Sequence, residues 1–378
     1  MHHALALARG VMNTTTPNPR VGCVIVRDGR VIGEGATQPP GGPHAEVCAL
    51  RDAAARGEST HGATIYVTLE PCSHFGRTPP CVDAVIAARP ERVVVAMSDP
   101  NPRVSQQGLL KLRSAGIEVT AGVCAEEALD INVGFVARMS RGTPWAWVKM
   151  ATSLDGRSAL HNGVSQWITG EAARADGHVW RARSCVVLTG MGTVLRDNPR
   201  LNVRSIQTSR PPRRAVVDGR FDIPENALLF DSAAEDGVET LIFTADPTAQ
   251  ASDKAARLAD RNVRVITLPG DHPGRVDLSA MMQWLGQHDV NEVHIEAGAG
   301  LAGTMLSEGC VDELLVYLAP MLLGDAAAML RLPLLEHLDH ARRFEFADLQ
   351  RVGSDLRLRA RDPVRWQALC QASSCAHG

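Results

Sequence analysis

Residues 44–46 read His-Ala-Glu, and residues 70–81 read Glu-Pro-Cys-Ser-His-Phe-Gly-Arg-Thr-Pro-Pro-Cys. His, Cys and Cys are the ligand types that zinc prefers, and a carboxylate beside them is the type that moves protons. At the start of a helix, side chains two residues apart point about 200° apart. His44 can therefore ligate a metal while Glu46 faces the water that the metal activates. One His and two Cys, here His44, Cys72 and Cys81, leave the fourth tetrahedral position open, as a catalytic zinc requires. Zinc brings the pKa of bound water toward about 7. Glu46 is then placed to take a proton from that water and deliver it to a leaving amine. The arrangement H-x-E…P-C-x-x-C is the zinc-deaminase signature. The match has one departure: eight residues, not two, separate Cys72 from Cys81. The bland alternative is a metal that only staples a loop, with His74 as a fourth ligand.

These residues need elements to hold them. VGCVIVRD and VIGEGA flank Asp28-Gly29, a hairpin signal. HAEVCALRDAAAR has helical spacing, ATIYVTL reads as a strand, CVDAVIAA as a helix and RVVVAM as a strand. QQGLLKLRSAG is a helix closed by Gly116, followed by the strand IEVTAG and the helix AEEALDINVGFVARMSR. The alternation predicts a three-layer α/β/α domain over residues 1–143. RGTPW at 141–145 reads as a junction. WAWVKMA, SCVVLTG, RRAVVDG, TLIFTA, RVITLP, EVHIEAG and ELLVYLAP then predict a second α/β domain over 144–364. The small polar residues near the end predict a disordered tail over 365–378.

Composition sets the outer bounds. The 378 residues are 45% hydrophobic and 21% charged, with a formal net charge of −3. A chain of this length suggests two domains, and the balanced charge provides no basic field for a nucleic-acid partner. No run of about 18 apolar residues occurs, so no membrane span is expected. The start, MHHALALARGVM, lacks a signal-peptide pattern. Nine cysteines without an export signal suggest reduced thiols and cytoplasmic residence. Cys23, Cys48, Cys124, Cys185 and Cys310 sit among apolar residues and read as core fillers.

The second half has its own candidates. Gly298-Ala-Gly-Leu-Ala-Gly303 is a G-x-G-x-x-G that follows a strand and opens a helix, the context in which glycines admit a phosphate. The next strand ends in Ala-Pro without an acid for a ribose, which disfavours an ordinary Rossmann NAD site. Close helix–strand packing would also explain the glycines. Ser153-Leu-Asp-Gly156, Thr189-Gly190 and Thr193 follow strands, where open α/β sheets place ligands. Arg181, Arg183, Arg200 and Arg204 cluster nearby and suit phosphate contacts, or a solvated surface.

TPNPRVGCVIV (16–26), GGPHAEVCAL (41–50), VTLEPCSHFGRTPPC (67–81) and DPNPRV (99–104) together resemble the family of bifunctional riboflavin-biosynthesis deaminase–reductases. That family has the long cysteine spacer. KMATSLDGRSA (149–159), SQWIT (165–169), TVLRDNPRLNVR (193–204), EAGAGLAG (296–303) and VDELLVYLAPMLLG (311–324) resemble its reductase motifs, so the likeness spans almost the whole chain. It implies a cytidine-deaminase-like first domain that binds one zinc and hydrolyses the amino group of a diaminohydroxy-phosphoribosylaminopyrimidine. Asn18, His74, Arg77, Asp99 and Asn101 would line that pocket. Asn18, Asp99 and Asn101 also lie in Pro-rich turns, where Asn and Asp are common anyway.

The resemblance further implies a dihydrofolate-reductase-like second domain that uses NADPH to reduce the ribosyl group to ribityl. Thr152, Trp167, Thr193, Asp197, Gly298, Ala299, Gly300, Leu301, Ala302, Gly303 and Thr304 would contact the cofactor. Ser165, Arg181, Leu201, Arg204 and Glu296 would contact the phosphoribosyl substrate, with Lys149 and Asp197 as polar groups near the reacting ribose. The family also implies a homo-oligomer, dimer or tetramer, built through the second domain. Two alternatives stand beside this reading. One is a nucleoside or tRNA adenosine deaminase with an accessory domain, which the balanced charge disfavours. The other is a degenerate zinc-binding member without catalysis, which the intact His44, Glu46, Cys72 and Cys81 disfavour.

Overall fold

The computed structural model describes residues 1–73, 79–101 and 105–374. The chain divides into two compact units, Met1–Gly142 with the residues from Gln367 onward, and Thr143–Trp366.

The first unit runs α1 (His2–Gly10), β1 (Gly22–Arg27), β2 (Arg30–Ala36), α2 (Ala45–Ala55), β3 (Thr64–Val67), α3 (Cys81–Ala87), β4 (Arg92–Val95), α4 (Gln107–Ser114), β5 (Glu118–Ala121) and α5 (Ala125–Arg141). The sheet order is β2-β1-β3-β4-β5, antiparallel through β2, β1 and β3 and parallel from β3 to β5. Asp28 and Gly29 both take positive φ, 52° and 74°, as a two-residue hairpin turn requires. Successive strand residues face opposite sides. A Cβ on Gly22 would meet the Ala4 carbonyl of α1 at 1.9 Å, whereas one on Gly35 would meet Cys48 and Ala49 of α2 at 2.5 and 2.6 Å. Gly22 pairs with Ala36, and Gly35 with Cys23, so the two glycines lie on opposite faces. Helices therefore cover both sides, and the expected three layers are present.

The second unit runs β6 (Trp145–Ser153), β7 (Arg157–Ala159), α6 (Glu171–Arg183), β8 (Val186–Gly190), α7 (Met191–Asp197), β9 (Arg213–Val217), α8 (Leu228–Glu235), β10 (Thr240–Thr244), α9 (Asp253–Ala259), β11 (Val263–Thr267), α10 (Leu278–Gln287), β12 (Glu292–Ile295), α11 (Ala299–Ser307), β13 (Glu313–Ala319), β14 (Ala327–Ala328), β15 (Glu345–Val352) and β16 (Asp355–Arg361), and its last residues open α12 (Pro363–Ser373). Its main sheet has the order β11-β10-β9-β8-β12-β6-β13-β16-β15. The strands from β11 to β13 are parallel, and β16 and β15 close the edge antiparallel. One face is aliphatic: Ala146, Val148, Leu188, Val293 and Ile295 pack with Met281, Leu285 and Met305. On the other face Val216 and Ile242 pack with Leu229, Phe230 and Leu258 of α8 and α9. This is the dihydrofolate-reductase-like α/β architecture expected. β12 lies between β6 and β8, so the carboxyl ends of three central strands come together, where such sheets bind ligands.

The structure departs from the sequence pattern at two places. The hairpin β15–β16 turns charge inward, with Arg359 and Arg361 on Glu313, the arginine side chains 10% and the glutamate 1% exposed. The expected disorder over 365–378 does not hold for its described part. α12 continues to Ser373, with Leu369 2% exposed and Ser373 O accepting from Ser98 N at 3.2 Å. From Gln367 onward the helix groups with the first unit, and Leu369 is its buried apolar side chain; residues 375–378 lie outside the described residues.

Leu369→Ala removes an enclosed side chain and should cost about 2–4 kcal/mol. The readout is a lower urea midpoint for the transition carrying the first unit; an unchanged midpoint would detach α12 from that core.

Candidate functional site

In the first unit two helices begin at one point. His44 is the N-cap residue of α2, in extended conformation, and Cys81 is the first residue of α3. His44 Nδ1 lies 3.2 Å from Cys81 Sγ and 3.6 Å from Cys72 Sγ. The three ligand atoms all lie within 4.8 Å of one another. Tetrahedral zinc with its usual bond lengths puts nitrogen and sulfur about 3.6 Å apart, so the donor set fits that ion. The Cys81 amide, at the amino end of α3, donates to Cys72 Sγ at 3.3 Å. That hydrogen bond belongs to a wider effect: the Cys72 thiol is held down to about 4, first by its bond with Cys81 and then by His44. The Cys81 thiol is pushed up by the same sharing. Glu46, in the first turn of α2, is 4% exposed. Burial, then the Cys72 charge, pushes its carboxyl up to about 7.

Glu70, which the sequence reading left unassigned, organises the surrounding backbone. It is 3% exposed. Its carboxylate accepts from Asp99 N at 3.1 Å, Gln106 N at 3.0 Å and Gly108 N at 2.9 Å. It therefore caps α4 and binds the Asp99 amide to a residue two before Cys72. A Cβ on Gly108 would meet the Pro71 carbonyl at 2.3 Å, so glycine allows this approach. Asp99 in turn accepts from Asn101 N at 2.9 Å. Asn18 sits in a turn closed on Thr15 O at 2.9 Å. That turn is tied to α5 by Asn132, which accepts from Arg20 N at 2.7 Å and donates to Arg20 O at 2.9 Å. His74 and Arg77 lie outside the described residues. A lone acid in E-P-C gives no pattern to read, which is why Glu70 escaped notice.

In the second unit a charged cluster gathers where β6, β8 and β12 end. Arg181 grips Glu296 with Nε and Nη2, the latter at 2.8 Å, and donates through Nη1 to Asn202 O at 2.8 Å. Burial works against ionised Glu296, but the Arg181 charge and its hydrogen bonds hold the carboxyl well below its ordinary range. Burial lowers the Lys149 pKa, with Glu296 opposing and Arg181 adding. His178 accepts from Arg204 N at 3.4 Å. Burial, then the Arg181 and Arg204 charges, pulls its pKa down to about 4. Leu201 is buried with φ 52°. Lys149, Arg181, Arg204 and Glu296 are thus brought together.

Other expected residues sit apart from that cluster. Among the described residues no hydrogen bond or ion pair joins Asp197, exposed at the end of α7, to it. Trp167 is 66% exposed beneath the Arg174 guanidinium, 4.4 Å from its ring centre; Ser165 lies in the same loop, partly buried. Thr152 is buried and donates to Ser153 O at 3.2 Å. Gly298 caps α11, and a Cβ on it would come 4.0 Å from Thr193 Oγ1. Ala299 and Gly300 follow in the first turn, where Gly300 borders open space. The rest of the glycine motif packs: Leu301 against Gly190, Ala302 into the aliphatic core, Gly303 against the Arg331 carbonyl, while Thr304 bonds Gly300 O at 3.0 Å. Two of the four arginines pair away from the cluster: Arg183 with buried Glu292, and Arg200 with Glu235 at the surface. The Asp155 turn is also a clamp, accepting from Leu323 N at 3.2 Å and Gly324 N at 2.7 Å.

Fold and site together define a zinc-type deaminase unit followed by an α/β reductase unit. Residues 1–97 match the cytidine and deoxycytidylate deaminase zinc-binding region, and residues 144–358 match the RibD C-terminal domain. The riboflavin biosynthesis protein RibD of Escherichia coli is 45% identical over 94% of this chain and 96% of its own. That of Haemophilus influenzae is 40% identical over 95% of each. The solved structure of Acinetobacter baumannii RibD superposes with a TM-score of 0.84 at 41% identity, covering 95% of this chain and 97% of its own. The Thermotoga maritima diaminohydroxyphosphoribosylaminopyrimidine deaminase/5-amino-6-(5-phosphoribosylamino)uracil reductase does so at 0.83 and 31% identity, covering 96% and 97%. The chain belongs to the RibD family of bifunctional riboflavin-biosynthesis deaminase–reductases. No helix among the described residues is long and apolar enough to cross a membrane.

Glu70→Gln turns an acceptor oxygen into a donor facing buried amides and should cost about 1–3 kcal/mol, measured by urea unfolding. No loss of stability would refute the capping role. His178 supplies a pH test. Its folded pKa of about 4 lies below the ordinary 6.5, so the unfolded chain binds the extra proton between these values. Stability from this group is complete above pH 6.5 and is lost as pH falls toward 4. His178→Gln should flatten that part of the stability profile, and an unchanged slope would refute the assignment.

Proposed function

We propose that the first unit hydrolytically deaminates 2,5-diamino-6-(5-phosphoribosylamino)pyrimidin-4-one. The second then reduces the ribosyl group of 5-amino-6-(5-phosphoribosylamino)uracil to ribityl with NADPH. The observation that carries the reading is the convergence of His44, Cys72 and Cys81 beside buried Glu46. One zinc per chain would be held by those three side chains. The ion would supply a Lewis acid and a nucleophilic water near neutral pH. Glu46 would accept the water's proton and pass it to the leaving amino group. Its burial suits a proton carrier that must give up its proton as well as take it. Asn18, Asp99 and Asn101, with His74 and Arg77, would bind the phosphorylated pyrimidine.

In the second unit, the amino ends of α7 and α11 offer backbone amides and open space at Gly298–Gly300 to the cofactor phosphates, with Thr193 beside them. Thr152, Trp167 and Asp197 would complete that site, together with the backbone of residues 301–304. NADPH would supply the hydride. Arg181 and Glu296 would orient the sugar, with Arg204, Leu201 and Ser165 along the phosphoribosyl chain and Lys149 as the polar group nearest the reacting ribose. Cytoplasmic residence belongs to the same reading. So does self-association through the second unit: Phe346 and Leu349 are 74% and 59% exposed on the edge strand β15.

Glu46→Gln should retain zinc but lower ammonia release about 10²–10⁴-fold. Incubation with the diaminopyrimidine phosphate, with and without NADPH, reads ammonia and NADPH oxidation separately. Ammonia release at the parent rate would overturn the proton role, and ammonia without any NADPH oxidation would overturn the reductase assignment.

A further inference from the structure

The polar face of the second sheet carries a chain of buried hydrogen bonds that ends at Glu296. His294 lies opposite Trp147 in the parallel pairing of β12 with β6. Both are enclosed, at 0% and 1% exposure. Trp147 Nε1 donates to His294 Nδ1, and His294 Nε2 lies 3.0 Å from Glu296 Oε1. An indole N–H can only donate. His294 Nδ1 must therefore present its lone pair, and the ring proton must sit on Nε2, aimed at Glu296. A second proton on Nδ1 would oppose the indole N–H, and burial also disfavours the charged ring.

Glu296 then has few orientations left. An ionised carboxylate offers about four lone-pair sites. Oε1 accepts from Arg181 Nε and His294 Nε2, and Oε2 accepts from Arg181 Nη2. Among the described residues, one site on Oε2 stays open. Arg181 alone would fix the carboxylate plane. The histidine adds a donor to one oxygen only, so the two oxygens become unequal.

We propose that His294, locked by Trp147 as the Nε2–H tautomer, is a positioning residue for the reductase. It saturates Glu296 Oε1 and leaves Oε2 to accept from a sugar hydroxyl of the phosphoribosyl substrate. The inference rests on the reading that Glu296 contacts that substrate. The other face of the same strand is wholly aliphatic, so the donor chain runs on this side alone.

The test compares three replacements in the full-length enzyme. His294→Gln can place an amide N–H near the Nε2 position, whereas His294→Asn is too short to reach Glu296 and His294→Phe has no donor. His294→Phe and His294→Asn should lower kcat/KM for the ribosylaminouracil substrate about 10- to 100-fold, the range expected when one buried hydrogen-bond partner is lost. His294→Gln should recover to within about threefold of the parent, since it restores the donor. NADPH affinity, read by fluorescence titration, should stay unchanged in all three, a result that general damage to the unit would not give. Parental kcat/KM in His294→Phe, equal activity of the Gln and Asn variants, or parallel loss of NADPH affinity would each overturn the proposal. If the Phe variant does not fold, the Gln–Asn comparison decides alone. Glu296→Gln is measured alongside. If it leaves substrate KM and kcat unchanged, the underlying reading of Glu296 fails; if it impairs them while His294→Phe does not, only the positioning role fails.

Discussion

Three candidate ligand atoms, on His44, Cys72 and Cys81, must meet, and the first unit is arranged around that demand. His44 and Cys81 sit at the amino ends of α2 and α3, and Cys72 receives the amide of the α3 start. Helix amino ends favour negative charge, so the same geometry that aims the ligands also stabilises a thiolate. Glycines then let the helices approach the sheet: Gly35 admits α2, and Gly108 brings the start of α4 onto Pro71. Glu70 joins the ligand segment to the Asp99 turn through backbone amides. The ligand segment and the Asp99 turn are thus fixed by one buried carboxylate.

The second unit solves a different problem. Its sheet has one aliphatic face; the other packs Val216 and Ile242 against α8 and α9 and, further along, carries Glu292, His294, Glu296 and Glu313 against Arg181, Arg183, Arg359 and Arg361. Buried ion pairs contribute little net stability compared with well-packed apolar groups. Two such pairs bracket β12, Arg183–Glu292 at its start and Arg181–Glu296 just past its carboxyl end. Apolar packing on both faces supplies the stability, and the charged pairs fix directions. Tyr317 continues this logic, donating to Asp176 at 2.6 Å while Arg357 holds the same carboxylate.

Much of this was legible in the residues. Alternation and helical spacing located the strands and helices of the first unit, and the glycine-linked hairpin took the conformation that Asp28-Gly29 implies. His44, Glu46, Cys72 and Cys81 carry chemistry in their types, so the metal site could be read without a fold. What escaped was set by tertiary partners. Glu70 and His294 look ordinary in sequence, because their roles come from amides and rings brought to them from distant segments. Arg183 and Arg200 resembled phosphate ligands until Glu292 and Glu235 appeared beside them. The β15–β16 hairpin buries charge in the pairs of Arg359 and Arg361 with Glu313, and the polar final helix buries only Leu369 and Ser373.

The central claim is a zinc ion with three protein ligands and one open position. X-ray absorption at the zinc edge of the purified enzyme measures this directly. The account predicts about one zinc per chain, with two sulfurs at about 2.3 Å, one imidazole nitrogen and one further light atom at about 2.0–2.1 Å that is displaced by a pyrimidine inhibitor. A shell of four protein donors, with a second imidazole and no exchangeable position, would contradict it.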